Sequence, residues 1–156
     1  MPDPYLVGLA MLSRRELSTT QVRDRLRRKG FAEHEIKPAL RHLGRTGALD
    51  DQRTALALAH SSAHIKMHGR QRAIRELELK GISRELSLTA VGKVYDGLDE
   101  QMLLERALAR RLGGPIDSSA ELGRLYRYLI RQGFDGTAAL SVLKNHTIPA
   151  VTEDPE

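Results

Sequence analysis

The sequence predicts an all-α protein built from three tandem three-helix repeats, the last of them truncated. The first observation is that one 22-residue segment recurs, in diverged form, twice more along the chain. The second is that apolar residues recur at the four-residue spacing of a helix surface, whereas no useful stretch alternates with the period of a strand. A near-constant period indicates one helical unit built three times, with neighbours covering one another's apolar faces, and hence an elongated, curved body. The three copies are VRDRLRRKGFAEHEIKPALRHL at 22–43, AIRELELKGISRELSLTAVGKV at 73–94 and RLYRYLIRQGFDGTAALSVLKN at 124–145.

The first helix of each repeat ends at a glycine that is followed by a large apolar residue. The three glycines stand 51 and 52 residues apart. A helix C-terminus commonly needs a residue in the left-handed conformation, which glycine adopts at the lowest cost. Both phenylalanines of the chain follow such a glycine, and a shared packing role explains this better than a binding role. The predicted structural positions are Gly30, Phe31, Gly81, Ile82, Gly133 and Phe134.

Acidic residues and serines mark the other helix starts. Aspartates precede two further apolar stretches, TALALAHSSAHI and MLLERALARRL, and suit N-caps because a carboxylate accepts bonds from free amides at the positive end of the helix dipole. Two serines are followed three residues later by Gln or Glu, which indicates capping boxes. The predicted caps are Asp50, Asp99, Ser18 with Gln21, and Ser118 with Glu121.

These signals predict about eight helices in a 3+3+2 pattern. Glycine-containing segments at His68-Gly69 and Gly113-Gly114-Pro115 are the expected joints between repeats. The predicted domains are repeat 1 at 1–66, repeat 2 at 67–114, a two-helix repeat 3 at 115–148 and a polar tail at 149–156.

Composition narrows the class of protein. The chain has 156 residues, a formal net charge of +5 and no cysteine, so a disulfide framework, thiol catalysis and Cys-ligated zinc are excluded. The positive charge favours an anionic partner. The first apolar run is cut by Gly8 and makes a poor signal peptide. No run approaches the roughly 18 apolar residues of a membrane span, so we expect a cytoplasmic protein with no membrane partner.

Four stretches resemble the RecX family of recombinase regulators: LSRRELSTTQVRDRLRRKGF (12–31), GALDDQRTALA (47–57), GRQRAIRELELKGIS (69–83) and YRYLIRQGFDGTAALSVLK (126–144). The resemblance covers about residues 9 to 146. Two positions depart from it, Thr54 where the family usually shows an aromatic residue and Gly92 within a helix. The resemblance implies a monomeric, non-enzymatic protein that binds the RecA filament on single-stranded DNA. There it would inhibit recombinase, ATPase and co-protease activities, and so modulate recombination, DNA repair and the SOS response.

Basic residues in each repeat are the candidates for contacts with such a partner. In the third repeat, arginines at i, i+3 and i+7 share one helix face with a tyrosine, and guanidinium groups spaced in this way can meet successive phosphates or carboxylates. The alternative is that these arginines line solvated faces, and in the first repeat Glu16 and Asp24 are available for local pairing. The candidate binding residues are Arg25, Arg28, Lys29, Arg70, Arg72, Arg75, Arg124, Arg127, Tyr128 and Arg131.

One alternative function remains open, whereas a metal site and a catalytic site are rejected. A sequence-tolerant DNA-binding protein that acts without RecA is the alternative function, although no helix shows a base-reading cluster of Asn, Gln and Arg. His60, His64 and His68 step by four residues, but no carboxylate or cysteine completes a metal site. The repeated acidic pairs read as caps, and no phosphate loop or nucleophile motif is present. We therefore predict no catalytic residues, no metal and no cofactor.

Overall fold

Side chains that satisfy free backbone groups mark where the helices begin. The Ser18 hydroxyl accepts a bond from the Gln21 amide at 3.1 Å, and the Gln21 side chain accepts from the Ser18 amide at 2.9 Å. Asp50 and Asp99 each accept two amides from the first turn of the helix that follows. Ser118 accepts the amide of the third residue of its helix at 3.1 Å. The four predicted N-cap residues are thus confirmed. The reciprocal capping box is formed by Ser18 with Gln21, whereas at Ser118 the described structure shows the serine bond alone.

The computed structural model describes residues 2–152, and the all-α prediction is confirmed over them. Within this part of the chain, extended backbone is paired only at an isolated bridge between Ile116 and Thr147. The sequence predicts about eight helices, and the described residues form ten. The prediction misses the first and the last of them. The remainder of the predicted polar tail, 153–156, lies outside the described residues. The helices are α1 (Pro4–Arg14), α2 (Thr19–Arg28), α3 (Glu33–Arg45), α4 (Asp51–His64), α5 (Arg70–Leu79), α6 (Arg84–Tyr95), α7 (Glu100–Ala109), α8 (Ser119–Arg131), α9 (Gly136–Asn145) and α10 (Pro149–Thr152).

The glycines that end α2, α5 and α8 have the predicted left-handed backbone. Their φ angles are 97° at Gly30, 88° at Gly81 and 97° at Gly133. The apolar residue that follows is buried at Ile82 and Phe134, and in the first repeat the half-buried phenylalanine packs against a core cluster. These positions serve packing, as predicted.

The described chain forms two compact units. The first comprises residues up to 59 together with 74–92, and the second comprises 60–73 and 93 onward. Helices α1, α2 and α3 surround a core cluster of the first unit. Its buried members are Leu17, Val22, Leu26, Ile36, Leu40, Leu43 and Leu49. The predicted repeat boundaries and the predicted elongated shape stay predictions.

Helix α1 packs closely on α3 because Gly8 lies at their contact. A Cβ atom at this glycine would stand 2.8 Å from Leu43 Cδ1. One turn earlier, the Tyr5 ring stacks on the His42 ring with centroids 3.8 Å apart. Pro4 occupies the first turn of α1, where its missing amide hydrogen would have no helical partner. The glycine that interrupts the apolar run in the sequence therefore lets α1 approach α3 closely.

Polar bonds tie the start of α2 to two other segments of the first unit. The Ser18 hydroxyl donates to the Lys80 carbonyl, and both the amide and the hydroxyl of Thr19 donate to Asp51 Oδ1, at 2.7 and 3.0 Å. Thr54, one of the two positions that depart from the RecX resemblance, is fully buried and donates to Glu16 Oε2 at 2.7 Å. A buried hydroxyl with such an acceptor is satisfied, so the polar residue fits this site.

In the second unit, a backbone junction joins the start of α5 to the turn between α8 and α9. The Gly69 amide donates to the Gln132 carbonyl at 2.7 Å, and the Gln71 amide donates to the Gly133 carbonyl at 3.2 Å. Elsewhere in this unit, His146 Nε2 and Glu105 Oε2 are 2.7 Å apart and connect the end of α9 to α7. Many of the unit's buried side chains come from α7, α8 and α9, among them Leu104, Leu108, Leu129, Val142 and Leu143.

Candidate partner-binding surfaces

A basic groove runs between α1 and α2 in the first unit. Its volume is about 940 Å³, and we call it the α1–α2 groove. Helical geometry places three cations of α2 on one flank of that helix, beside the buried Val22 and Leu26. Helix α1 supplies an aliphatic floor, and two arginines come from its C-terminal end. The lining residues are Val7, Ala10, Met11, Arg14, Arg15, Arg25, Arg28 and Lys29.

The carboxylates close in sequence to the groove are paired elsewhere. Asp24 lies 3.6 Å from Arg27, and Glu33 also pairs with Arg27. Glu16 pairs with Arg53 at 2.8 Å. Over residues 2–152, none of the five groove cations has a carboxylate within 4 Å. Carboxylates of the described chain therefore neutralise Arg27 and Arg53 but not the cations of the groove.

A second basic surface, here called the α8 surface, lies in the second unit. The sequence predicted its arginines and Tyr128 to share one helix face, and the structure brings them together around a cavity of about 430 Å³. Arg111, from the residues just after α7, was not predicted. Its guanidinium lies over the Tyr128 ring at 4.7 Å from the centroid, which is a cation–π distance. The lining residues are Arg111, Glu121, Arg124, Leu125, Arg127, Tyr128 and Arg131.

The three candidates of the middle repeat do not form a third surface. Arg70 pairs with Asp96 at 2.8 Å, and Arg72 donates to the Gln132 side chain at 3.0 Å. Both contacts lie within the second unit and hold its chain segments together. Arg75 is exposed on α5 in the first unit. Of these three candidates, Arg75 is thus the one for which the described structure shows no partner, whereas Arg70 and Arg72 hold chain segments together.

The three histidines of the four-residue series do not form a row. Helix α4 ends at His64, and Met67 has a left-handed backbone with φ of 56°. His60 and His64 stack their rings with centroids 5.6 Å apart, whereas His68 is buried and its carbonyl accepts the Tyr95 hydroxyl. In the described chain no three His, Cys, Asp or Glu side chains are grouped as metal ligands.

The fold and these surfaces define a class of protein: an all-α protein that presents a basic surface in each of its two compact units. None of the helices described is long and apolar enough to cross a membrane.

Comparison with known proteins gives the family. The family model described as the first three-helix domain of RecX matches residues 5–43, and that of the second matches 50–90. The regulatory protein RecX of Amycolatopsis mediterranei is 32% identical over 136 residues, which cover 86% of this chain and 77% of that protein. The RecX of Pelodictyon phaeoclathratiforme is 25% identical over 155 residues, 98% of this chain and 94% of that protein. The chain therefore belongs to the RecX family of regulatory proteins, and the resemblance found in the sequence is confirmed.

A solved structure supports the fold. The crystal structure of RecX from Lactobacillus salivarius superposes with a TM-score of 0.73 at 20% identity, over 91% of this chain and 93% of the other. The two family models cover α1–α3 and α4–α6, three helices each.

Proposed function

We propose that this protein binds the RecA–DNA nucleoprotein filament and restrains the recombinase, ATPase and co-protease activities of RecA. Membership of a regulatory family supports a regulator related to RecA. The observation that carries the proposal is the α1–α2 groove, whose five cations have no carboxylate partner in the described chain. Unpaired cations attract the negative charges of DNA or of an acidic protein surface.

The mechanism that follows is inhibition by occupancy. A chain that presents two separate basic surfaces can make several weak contacts with one filament, and their effects multiply when both bind together. A bound chain would then obstruct filament extension or favour disassembly, which lowers strand exchange, ATP hydrolysis and SOS signalling without chemistry by the chain itself. The proposal includes neither a cofactor nor a metal, and it takes the protein to act in the cytoplasm as a monomer.

Titration against bare single-stranded DNA, bare RecA and the assembled filament tests this function. The proposal predicts the tightest binding to the filament. Equal affinity for bare DNA and filament would contradict it and favour the alternative function, DNA binding without RecA.

That alternative has its own signature. Duplex binding that is independent of RecA should weaken steeply with salt, with log K falling by about 0.9 per phosphate contacted for each unit of log salt concentration. The α8 surface is the observation in its favour, because arginines beside a tyrosine suit a nucleic acid strand.

A further inference from the structure

The two basic surfaces differ in what lies between their cations. The α8 surface has an aromatic ring, Tyr128, under one arginine, and a carboxylate, Glu121, among the others. The α1–α2 groove has Val7, Ala10 and Met11 on its floor, and within the described chain neither an aromatic ring nor a carboxylate lines it. One surface is thus aromatic and cationic, and the other is aliphatic and cationic.

Because of this difference, the two surfaces fit different kinds of ligand. A nucleic acid strand offers phosphates to arginines and bases to aromatic rings, because base stacking needs a π face. An aliphatic floor offers no such face, but it can bury an apolar side chain. Met11 adds an adaptable side chain that accommodates different shapes. The groove therefore fits a ligand that combines anionic and aliphatic groups.

The cations of the groove suit carboxylates around such an apolar anchor. Arg25 and Arg28 lie on α2 beside Lys29, and Arg14 and Arg15 face them from α1. Guanidinium groups bind carboxylates in a planar, two-point geometry. A protein segment with apolar residues on one side and acidic residues around them would satisfy both the floor and the rim, as amphipathic segments do in other grooves.

We propose that the α1–α2 groove binds an acidic amphipathic segment of a protein partner, with its apolar side chains on Val7, Ala10 and Met11 and its carboxylates on the surrounding cations. This inference rests on the proposed function and deepens it: the groove takes the protein component of the assembly, and the α8 surface is left for nucleic acid.

A synthetic peptide tests the proposal directly. The probe is a labelled 12-residue peptide of glutamate with leucine at two positions four apart, and its control carries serine at those positions with the same charge. Fluorescence anisotropy with the full chain should show about tenfold tighter binding of the leucine peptide, since each buried leucine adds hydrophobic stabilisation that serine lacks. Equal binding of the two peptides would overturn the proposal.

Matched variants on α1 locate the site. Ala10→Gln fills the floor without changing charge and should weaken the leucine peptide about tenfold, while Leu6→Gln should have no effect, because Leu6 is 59% exposed and does not line the groove. Ala10 is exposed, so its variant should keep the wild-type helical circular dichroism. No loss of peptide binding in Ala10→Gln would overturn the proposal.

A competition experiment separates protein from nucleic acid. A thymidine oligonucleotide of the same charge should displace the leucine peptide only weakly, and its own binding should be unchanged in Ala10→Gln. If the oligonucleotide displaces the labelled peptide at a lower concentration than the unlabelled peptide does, the groove is assigned to nucleic acid instead. The proposed function fails separately: if the wild-type chain binds the peptide but leaves the RecA ATPase unaltered, the regulatory proposal is contradicted and the groove assignment stands.

Discussion

Gly30, Gly81 and Gly133 share one backbone conformation but have different surroundings. All three have positive φ angles. Outside its chain neighbours, Gly30 would meet no described atom within 4 Å of an added Cβ. A Cβ at Gly81 would stand 2.4 Å from Thr20 Cβ, and one at Gly133 would stand 2.4 Å from the Arg72 backbone nitrogen. The last two glycines therefore permit a close approach as well as a turn.

Alanine substitution should separate these two roles. Gly30→Ala should lower the free energy of unfolding by about 1 kcal/mol, the cost of a left-handed alanine. Gly133→Ala should cost that amount plus about 1–3 kcal/mol, because a Cβ cannot fit against backbone without displacing it. Urea denaturation of the two variants gives both values. An equal loss of stability would show that the junction with Arg72 does not form in solution.

At the scale of elements, the start of α2 does more than begin a helix. Ser18 is fully buried, accepts the Gln21 amide and donates to the Lys80 carbonyl at the end of α5. Ser118 also caps its helix, but it is exposed. Two caps with the same sequence pattern therefore have different tertiary roles.

Removal of each hydroxyl should show this difference. Ser118→Ala should cost about 1 kcal/mol, the ordinary value of an N-cap. Ser18→Ala should cost about 2–3 kcal/mol, because it also removes the hydrogen bond that the buried Ser18 hydroxyl donates to the Lys80 carbonyl. Thermal melting monitored by circular dichroism measures both. If Ser18→Ala destabilises the protein no more than Ser118→Ala does, the bond from the Ser18 hydroxyl to the Lys80 carbonyl is contradicted.

The helices around each repeat glycine could be predicted from the sequence, but α1 and its contacts could not. Local signals such as caps and left-handed glycines act over a few residues, so the sequence pattern shows them directly. Gly8 reads locally as an interruption of the apolar run, and only the packing of α1 against Leu43 explains it. Helix α1 brings Arg14 and Arg15 to the α1–α2 groove, which is why sequence reasoning found only the α2 half of that groove.

The same limit explains the other differences at the candidate site. Arg111 reaches Tyr128 only because α7 packs beside α8, whereas the sequence pattern grouped α7 with the preceding repeat. Arg70 and Arg72 read as binding residues, but partners distant in sequence, Asp96 and Gln132, engage them. Charge is visible in a sequence, and its pairing depends on the fold.

At the scale of the whole molecule, the basic side chains differ in whether a carboxylate of the same chain already pairs with them. Arg25 and Lys29 line the α1–α2 groove, whereas Arg27 and Arg84 are held in ion pairs with Glu33 and Glu78. Equal changes in net charge should therefore have unequal effects on binding.

Two double variants test this expectation. Arg25→Gln with Lys29→Gln should weaken binding to the RecA–DNA filament about tenfold or more, because it removes unpaired groups that contact the partner. Arg27→Gln with Arg84→Gln removes the same charge and should change the affinity by less than about threefold, since those cations are already paired on the surface. Equal losses would show that net charge alone controls binding and that the groove has no special part.

The α8 surface makes a parallel prediction. Combined substitution of Arg124, Arg127 and Arg131 by Glu reverses its charge and should abolish filament binding at physiological salt, because phosphates or carboxylates of the partner would be repelled. All three arginines lie on or near the protein surface, so the helical circular dichroism should not change. Unaltered affinity in a folded variant would exclude this surface from the contact.

The DNA-dependent ATPase of RecA, titrated with this protein, tests the central claim most directly. Because each bound chain obstructs a stretch of filament, the proposed function predicts inhibition at less than one chain per RecA subunit. It also predicts that the double variant of Arg25 and Lys29 inhibits only at higher concentration. ATP hydrolysis that continues at its full rate with the wild-type protein in saturating excess would contradict the account.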